Sequence, residues 1–326
     1  MKLKKKTFII AEVGNNHEGS FVVAKKLVVL AAKAGVDAVK FQTFKTQNFI
    51  RKEDKKRFTQ LKKFELSYKQ FEFLKKLANK NKIKFISTPL DLESADFLLK
   101  NSDAIKIASG DNNFFPLIEK VLISKKPLII STGMTDIKDL KYLIKTIENS
   151  IGKRKMKNKI SLLHCVTSYP VEDKYANLRS ISYLIKNFDI NIGYSDHTIG
   201  NEACLASVAL GGKIVEKHFT LDKNFSKFRD HALSADFSDL KNMVISIRKI
   251  ERQLGKYNKK IVKPEKKLIK AVRRGVYAKT IIRKSEKVST TNSNFLRPSK
   301  SKDFLYIKKI IGKKIKNTKK TNQIIL

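Results

Sequence analysis

The chain has 326 residues, of which 41 % are hydrophobic, and this length accommodates one large domain and a small one with a sizeable core. Its net charge of +40 raises the question of nucleic acid, but the lysines are spread along the whole chain rather than gathered on one element. No apolar run reaches the roughly 18 residues that a membrane span needs. The composition therefore predicts neither a specific nucleic-acid partner nor a membrane one. Both cysteines, Cys165 and Cys204, lie in apolar stretches, which is typical of free thiols in a reducing, cytoplasmic compartment.

Residues 1–255 repeat one pattern, in which a short apolar run ends in polar residues and a segment of helical periodicity follows. The apolar runs are 7–14, 38–44, 84–90, 104–111, 127–134, 159–166, 190–196 and 213–219. Runs this apolar are typical of parallel strands covered on both faces. Eight such units in about 250 residues predict an α/β fold, a (β/α)₈ TIM barrel. The alternative is a doubly wound sheet, but no glycine-rich dinucleotide fingerprint follows the first run.

The pattern changes after residue 255. Residues 256–271 are charged, contain Pro264 and predict a linker with a short helix. Short strand-like runs follow at 275–282 and 294–298, and 304–312 could be helical. We expect residues 272–326 to form a small second domain.

Polar side chains end every strand of the predicted barrel, at the edge where the chemistry of this fold collects. In chain order they are Glu12, Lys40 with Gln42, Thr88, Lys106 with Ser109 and Asp111, Ser131 with Thr132, Thr167 and Tyr169, Ser195 with Asp196 and His197, and Glu216 with His218. Because the last two strands are neighbours in a barrel, His197 and His218 are predicted to meet. Two neutral imidazoles with open positions suit a divalent ion such as Mn²⁺, Co²⁺ or Mg²⁺. A closed zinc site would need four protein ligands.

Lysines and hydroxyls predict an anion site beside the histidines. The lysines are Lys40 and Lys106, and the helices that follow each strand point their N-termini at the same mouth, which favours a phosphate or a carboxylate there. Each residue alone has an ordinary explanation. Ser67 and Thr132 are typical helix N-caps, a lysine can extend to solvent, and a strand-end histidine is usually structural. The joint arrangement favours a functional site, since unpaired charges there would be costly.

Long ordered motifs now identify a resemblance that covers nearly the whole chain. The segments "AEVGNNHEGS", "KFQTFK", "FISTPLDLES", "IKIASGDNNFFPLI", "STGM", "LLHCVTSYP", "GYSDHT" and "VALGGKIVEKHFTLD" resemble the sialic acid synthases, which include N-acetylneuraminate, legionaminate and pseudaminate synthases. Residues 272–326, with "LRPS", resemble the antifreeze-like (SAF) cap domain of that family.

The resemblance implies a domain-swapped homodimer of barrels, in which each cap covers the partner's site. It implies condensation of phosphoenolpyruvate with an open-chain N-acetylated amino sugar, N-acetylmannosamine or a 2,4-diacetamido hexose, to a nine-carbon 2-keto sugar acid and phosphate. Two alternatives stay open. One is a synthase that acts on a sugar-phosphate aldehyde, and the other is a basic nucleic-acid-binding protein.

The resemblance also implies roles for individual residues. The metal ligands are His197 and His218, with Mn²⁺ as the first choice of ion, and the catalytic carboxylates are Glu12 and Asp111. Phosphoenolpyruvate is bound by Lys40, Thr88, Lys106, Ser109, Ser131, Thr167 and Ser195. The amino sugar is contacted by Tyr169, Asp230 and the cap residue Arg297. The cap loop "RPSKSKDF" lacks the usual glycines, and segment 45–66 carries no assignment.

Overall fold

A computed structural model describes residues 6–299 and 309–325. The chain forms two compact units, which divide between Gly255 and Lys256. In the first unit, eight parallel strands close into a barrel in the order β1 to β8, with β8 paired to β1. The predicted TIM barrel is therefore confirmed.

The strands of the barrel match the predicted apolar runs, although the fourth and fifth are shorter. They are β1 (Phe8–Gly14), β2 (Ala38–Thr43), β3 (Lys84–Pro89), β4 (Ala104–Ile107), β5 (Leu128–Ser131), β6 (Ile160–Cys165), β7 (Asn191–Asp196) and β8 (Ile214–His218). The helices of this unit are α1 (Phe21–Ala34), α2 (Thr46–Phe49), α3 (Lys55–Phe64), α4 (Tyr68–Lys80), α5 (Leu92–Asn101), α6 (Phe115–Leu122), α7 (Ile137–Ile151), α8 (Lys153–Lys159), α9 (Arg179–Asn187), α10 (Glu202–Ala209), α11 (Asp230–Leu233) and α12 (Phe237–Leu254).

The side chains of each strand alternate between two buried environments. Those that point outwards pack against the surrounding helices in the main core. Those that point inwards fill the barrel, where a smaller cluster contains Ile10, Ala38, Ile86, Ala104, Ile129, Leu163 and Ile214. Because both faces of every strand are covered, the strands read as continuous apolar runs in the sequence. The inward positions beyond this cluster are free to carry polar groups.

Local signals fix where several helices begin and end. Ser67 caps α4 through a capping box with Gln70, as predicted. The predicted N-cap role of Thr132 is wrong. Its hydroxyl donates to the carbonyl oxygen of Leu163 at 3.0 Å, and Asp136 caps α7 instead. Thr132 directly follows β5 and lies four residues before Asp136, so its hydroxyl is next to β6 rather than at the first turn of α7.

The second unit has its own core. It contains α13 (Lys263–Val272), which lies largely within the predicted linker, and an antiparallel pair of β9 (Gly275–Ala278) and β10 (Ser293–Leu296). Its buried hydrophobic residues are Val276, Ala278, Ile282, Val288, Ile310, Ile315 and Ile325. The predicted helix at 304–312 lies mostly outside the described residues, and the antifreeze-like assignment of 272–326 stays a prediction. Within the described ranges, no helix is both long and apolar enough to cross a membrane.

Candidate active site

A cavity of about 620 Å³ lies at the C-terminal ends of the barrel strands. It brings together most of the residues that the sequence predicted, namely Glu12, Lys40, Thr88, Lys106, Ser109, Ser131, Thr167, Tyr169, Ser195, His197, His218 and Asp230. Asp111 does not line it. This residue is partly buried in the turn Ser109–Asp111, where burial raises the pKa of its carboxyl and the charge of Lys106 opposes that rise. Arg297 is exposed in the second unit.

Two lysines and two carboxylates share the buried floor of the cavity. Lys40 Nζ lies 3.0 Å from Glu12 Oε2 and 3.5 Å from Glu216 Oε2, and Lys106 Nζ lies 3.8 Å from Glu216 Oε1. Ser195 donates its hydroxyl to Glu216 at 2.8 Å. The sequence placed Glu216 at a strand end without assigning it a role. The structure makes it the carboxylate that links both lysines.

Burial and neighbouring charges set the protonation of this cluster. Burial raises the pKa of Glu12 to about 7, because the opposing attraction of Lys40 does not fully compensate for it and Glu216 adds repulsion. Burial also acts on Glu216, but Lys106 and Lys40 prevail and lower its pKa. For Lys106, burial prevails and lowers the pKa below its usual range. The site therefore keeps one carboxyl that can carry a proton near neutral pH.

Hydroxyl groups lie close to both lysines. Lys106 Nζ donates to Ser131 Oγ at 2.6 Å, and Lys40 Nζ donates to Thr88 Oγ1 at 3.4 Å. Gly133 makes room for two more hydroxyls, since a Cβ atom there would lie 2.7 Å from Ser109 Oγ and 2.2 Å from Thr167 Oγ1. Several donors thus converge on one side of the cavity, which can bind the oxygens of an anion.

The two predicted metal ligands lie next to each other. The ring centroids of His197 and His218 are 5.2 Å apart. Metal–nitrogen bonds are about 2.1 Å long, so two imidazoles that share one ion have centroids roughly 5 Å apart. His197 Nδ1 lies 2.8 Å from the carbonyl oxygen of Val166, which requires the proton on Nδ1 and leaves the other ring nitrogen free to bind a metal.

Both rings are held neutral, as metal ligands must be. Burial lowers the pKa of His197, and burial together with the charge of nearby cations lowers that of His218 still further. The buried Nδ1 of His218 has no hydrogen-bond partner among the described residues. Among residues 6–299 and 309–325, no group of three or more His, Cys, Asp and Glu side chains could hold a metal. The two neutral rings, 5.2 Å apart, therefore fit the nitrogen ligands of one metal ion.

An aromatic and charged wall borders the histidines. The ring of Tyr169 lies 4.2 Å from that of His197, and the guanidinium of Arg229 lies 4.6 Å above Tyr169. Arg229 also pairs with Asp230 at 3.4 Å. Sequence reasoning assigned the adjacent Asp230 to sugar contact but missed Arg229.

Segment 45–66, which carried no assignment, forms another wall of the cavity. The lining residues it provides are Phe49, Arg57, Gln60 and Leu61, and the β8–α11 loop adds Lys227 and Phe228. The two parts are joined by an aromatic contact, with the rings of Phe64 and Phe228 5.2 Å apart. No sequence signal marked these residues, since the segment is basic and without motif.

Comparisons with known proteins agree with this geometry. The sequence profile of the NeuB family matches residues 27–259. The chain is 39 % identical over 335 residues to the N,N'-diacetyllegionaminic acid synthase of Campylobacter jejuni, which covers 98 % of this chain and 99 % of that protein. It is 34 % identical over 289 residues to the N-acetylneuraminate-9-phosphate synthase of Homo sapiens, with 84 % and 79 % covered.

A solved structure gives the same answer. The N-acetylneuraminic acid (sialic acid) synthetase of Leptospira borgpetersenii, crystallised with citrate, superposes with a TM-score of 0.76 at 32 % identity over 81 % of this chain and 90 % of that chain. The barrel, its site and these relatives together identify an enzyme of the sialic acid synthase class. The chain belongs to the NeuB family.

Proposed function

We propose that the protein condenses phosphoenolpyruvate with the open-chain aldehyde of an N-acetylated amino sugar, to give a nine-carbon 2-keto sugar acid and phosphate. The observation that carries this proposal is the placement of His197 and His218 in one cavity with Lys40 and Lys106. One pair suits a metal that binds the aldehyde, and the other suits the two anionic groups of phosphoenolpyruvate.

The lysines and hydroxyls hold phosphoenolpyruvate in place. Lys106 with Ser131 and Lys40 with Thr88 form two donor pairs on one side of the cavity, and Ser109 and Thr167 add further hydroxyls. Holding both reactants in one orientation makes a bimolecular step effectively unimolecular. A divalent ion bound by His197 and His218 would supply Lewis-acid polarisation of the aldehyde oxygen.

The reaction balances with a single proton carrier. C3 of phosphoenolpyruvate attacks the aldehyde carbon, whose oxygen takes up a proton and becomes a hydroxyl. Water adds at C2 and gives up a proton. The tetrahedral intermediate then loses phosphate, which takes the proton of the C2 hydroxyl with it and leaves the 2-keto acid. One carboxyl that both gives and accepts a proton is therefore enough. We assign this role to Glu12, which lines the cavity 3.0 Å from Lys40, with Asp111 as the second candidate.

The sugar is proposed to lie between the wall of Tyr169 and Asp230 and the wall formed by segment 45–66. The likeness to the C. jejuni diacetyllegionaminic acid synthase extends over 98 % of this chain. A 2,4-diacetamido hexose is therefore our first substrate, and N-acetylmannosamine is the second.

An assay of the purified protein tests the proposal. It would measure phosphate release from phosphoenolpyruvate with Mn²⁺ and with a 2,4-diacetamido hexose, N-acetylmannosamine or its 6-phosphate. Turnover with a free sugar is expected, and preference for the 6-phosphate would support the sugar-phosphate alternative. No phosphate release with any of the three, from a folded protein, would refute the synthase assignment.

The swapped homodimer is a further part of the proposal, since the resemblance implies that Arg297 of one subunit reaches the partner's site. Mixing folded His218→Ala and Arg297→Ala subunits tests it directly. In a swapped dimer, mixed dimers contain one site with both residues intact, so about a quarter of wild-type activity should return. If each subunit used its own Arg297, every site would lack one residue and no activity would return.

A further inference from the structure

A pair of buried charges lies behind the two histidines, on the outer face of the same strands. Asp196 ends β7 and Lys217 precedes the last residue of β8, and the strand register places them opposite each other. They are 0 % and 1 % exposed and do not line the cavity. Lys217 Nζ lies 2.8 Å from Asp196 Oδ2. The proposed chemistry uses neither residue.

The pair fixes the backbone on both sides of His197. Asp196 Oδ1 accepts hydrogen bonds from the amide and the hydroxyl of Thr198, each at 2.8 Å, and from the hydroxyl of Tyr194 at 3.0 Å. Lys217 Nζ donates to the carbonyl oxygen of Thr198 at 2.5 Å. Thr198 is thus held at its amide and at its carbonyl. Since His197 lies between Asp196 and Thr198, its Cα has little freedom to move.

We propose that the Asp196–Lys217 ion pair positions the two imidazoles for one metal ion. Asp196 directly precedes His197 in the chain, and Lys217 directly precedes His218. The ion pair therefore connects the two strand ends that carry the rings. The alternation along the strands puts the charges outside and the rings inside, where the centroids are 5.2 Å apart. This inference rests on the proposed function, because it takes His197 and His218 as the metal ligands.

Stability alone does not account for such a pair. Removing two charges from water is costly, and apolar residues of similar volume often stabilise a protein as well or better. A metal site with two protein ligands, however, depends closely on where those ligands lie, within about 0.5 Å. A fully buried ion pair with several fixed donors supplies that placement.

Mn²⁺ binding to the full-length protein without substrates tests the proposal. The variants are Asp196→Asn, Lys217→Met and the double variant. Each single variant leaves one buried charge unpaired and can unfold for that reason, whereas the double variant removes both charges and should keep the fold. The dissociation constant is measured from the electron paramagnetic resonance signal of free Mn²⁺, at a temperature where circular dichroism shows the variants folded. We expect binding about 10- to 100-fold weaker than in the wild type.

Arg248→Met is the matched control. It removes the ion pairs of Arg248 with Asp37 at 2.9 Å and with Glu251 at 3.1 Å. Asp37 precedes β2, at the other end of the barrel. This variant should unfold at a lower temperature and bind Mn²⁺ as the wild type does. Equal weakening in the control would overturn the proposal, because affinity would then only follow stability.

Two other results separate this proposal from the proposed function. If the wild type binds Mn²⁺ and the folded double variant binds it equally well, the positioning role is wrong and the metal site stands. If the wild type and His218→Ala bind Mn²⁺ equally poorly, the ligand assignment fails and this inference fails with it.

Discussion

At the scale of single residues, the two lysines of the site differ in how closely they contact protein carboxylates, and therefore in how readily they bind an anionic substrate. Lys40 is 3.0 Å from a carboxylate, whereas the shortest such distance for Lys106 is 3.8 Å. Lys106 therefore has the weaker carboxylate contact and the greater capacity to bind an incoming anion. Its short hydrogen bond to Ser131 keeps it aimed at the cavity.

Lys106→Met should mainly impair the use of phosphoenolpyruvate. The change removes a charged donor but keeps most of the side-chain volume, so we expect kcat/KM for phosphoenolpyruvate to fall between about tenfold and a hundredfold. Steady-state kinetics on folded protein measures this. Lys120→Met, which removes a partly exposed lysine paired with Asp96 at 2.7 Å, is the control and should change nothing. Unchanged kinetics in Lys106→Met would show that another group binds the anion.

His17 is predicted to make the protein sensitive to acid. Burial lowers the pKa of its ring from 6.5 to about 4, so the unfolded state binds more protons between these values. The unfolding free energy contributed by His17 is therefore complete at neutral pH and falls as the pH drops, by about 2 kcal/mol at pH 5. Urea denaturation at pH 7 and at pH 5 measures this difference in unfolding free energy. His17→Gln can still accept the hydrogen bond from the Gly19 amide and should lose less stability between them. An identical loss in both proteins would contradict the assignment.

The strand-end residues could be predicted because the physics that places them is local. Side chains two positions apart on a strand face the same way, so Lys40 could be grouped with Gln42, and Glu216 with His218, from the sequence alone. The reach of Asp111 could not be predicted in this way, since the turn Ser109–Asp111 decides where its carboxyl lies. His231 shows the same limit. It occurs in a loop-like stretch, yet it is fully buried and bonded to Thr220 at 2.7 Å.

At the scale of elements, one wall of the cavity is built by packing between segments far apart in the sequence. Phe44, Leu61 and Phe64 form a small buried cluster that Phe228 of the β8–α11 loop joins. The strands and helices of the barrel show their periodicity in the sequence, and the sequence predicted them. This wall shows no such signal, because its core is made of single aromatic residues from separate segments.

Phe64→Leu tests whether that packing shapes the sugar site. Phe64 is 4 % exposed and does not line the cavity, so any effect on substrate must pass through Phe228 or its neighbours. We expect the KM for the amino sugar to rise about fivefold, or roughly 1 kcal/mol, with the KM for phosphoenolpyruvate unchanged. Phe188→Leu, at a similarly buried residue after α9, should cost comparable stability without this change in KM. A rise in both KM values for Phe64→Leu would indicate general loosening instead.

At the scale of the whole molecule, the charge of +40 has a consequence that the fold alone does not give. Lysines cover the chain rather than one patch, so their field attracts anions in general. Around the cavity, Arg57, Lys227 and Arg229 add positive charge near the mouth. Phosphoenolpyruvate is an anion and the proposed amino sugar is neutral, so the field should distinguish the two substrates.

Salt should therefore slow capture of one substrate and not of the other. The distance over which charges act falls from about 30 Å at 0.01 M salt to about 3 Å at 1 M, so steering disappears across this range. We expect kcat/KM for phosphoenolpyruvate to fall by about tenfold or more, and the KM for a neutral amino sugar at saturating phosphoenolpyruvate to stay constant. Initial rates in salt series with two different anions measure both, and agreement between the series excludes competition by one ion. If salt impaired the use of both substrates equally, it would act on the protein in general, and the basic surface would have no part in substrate capture.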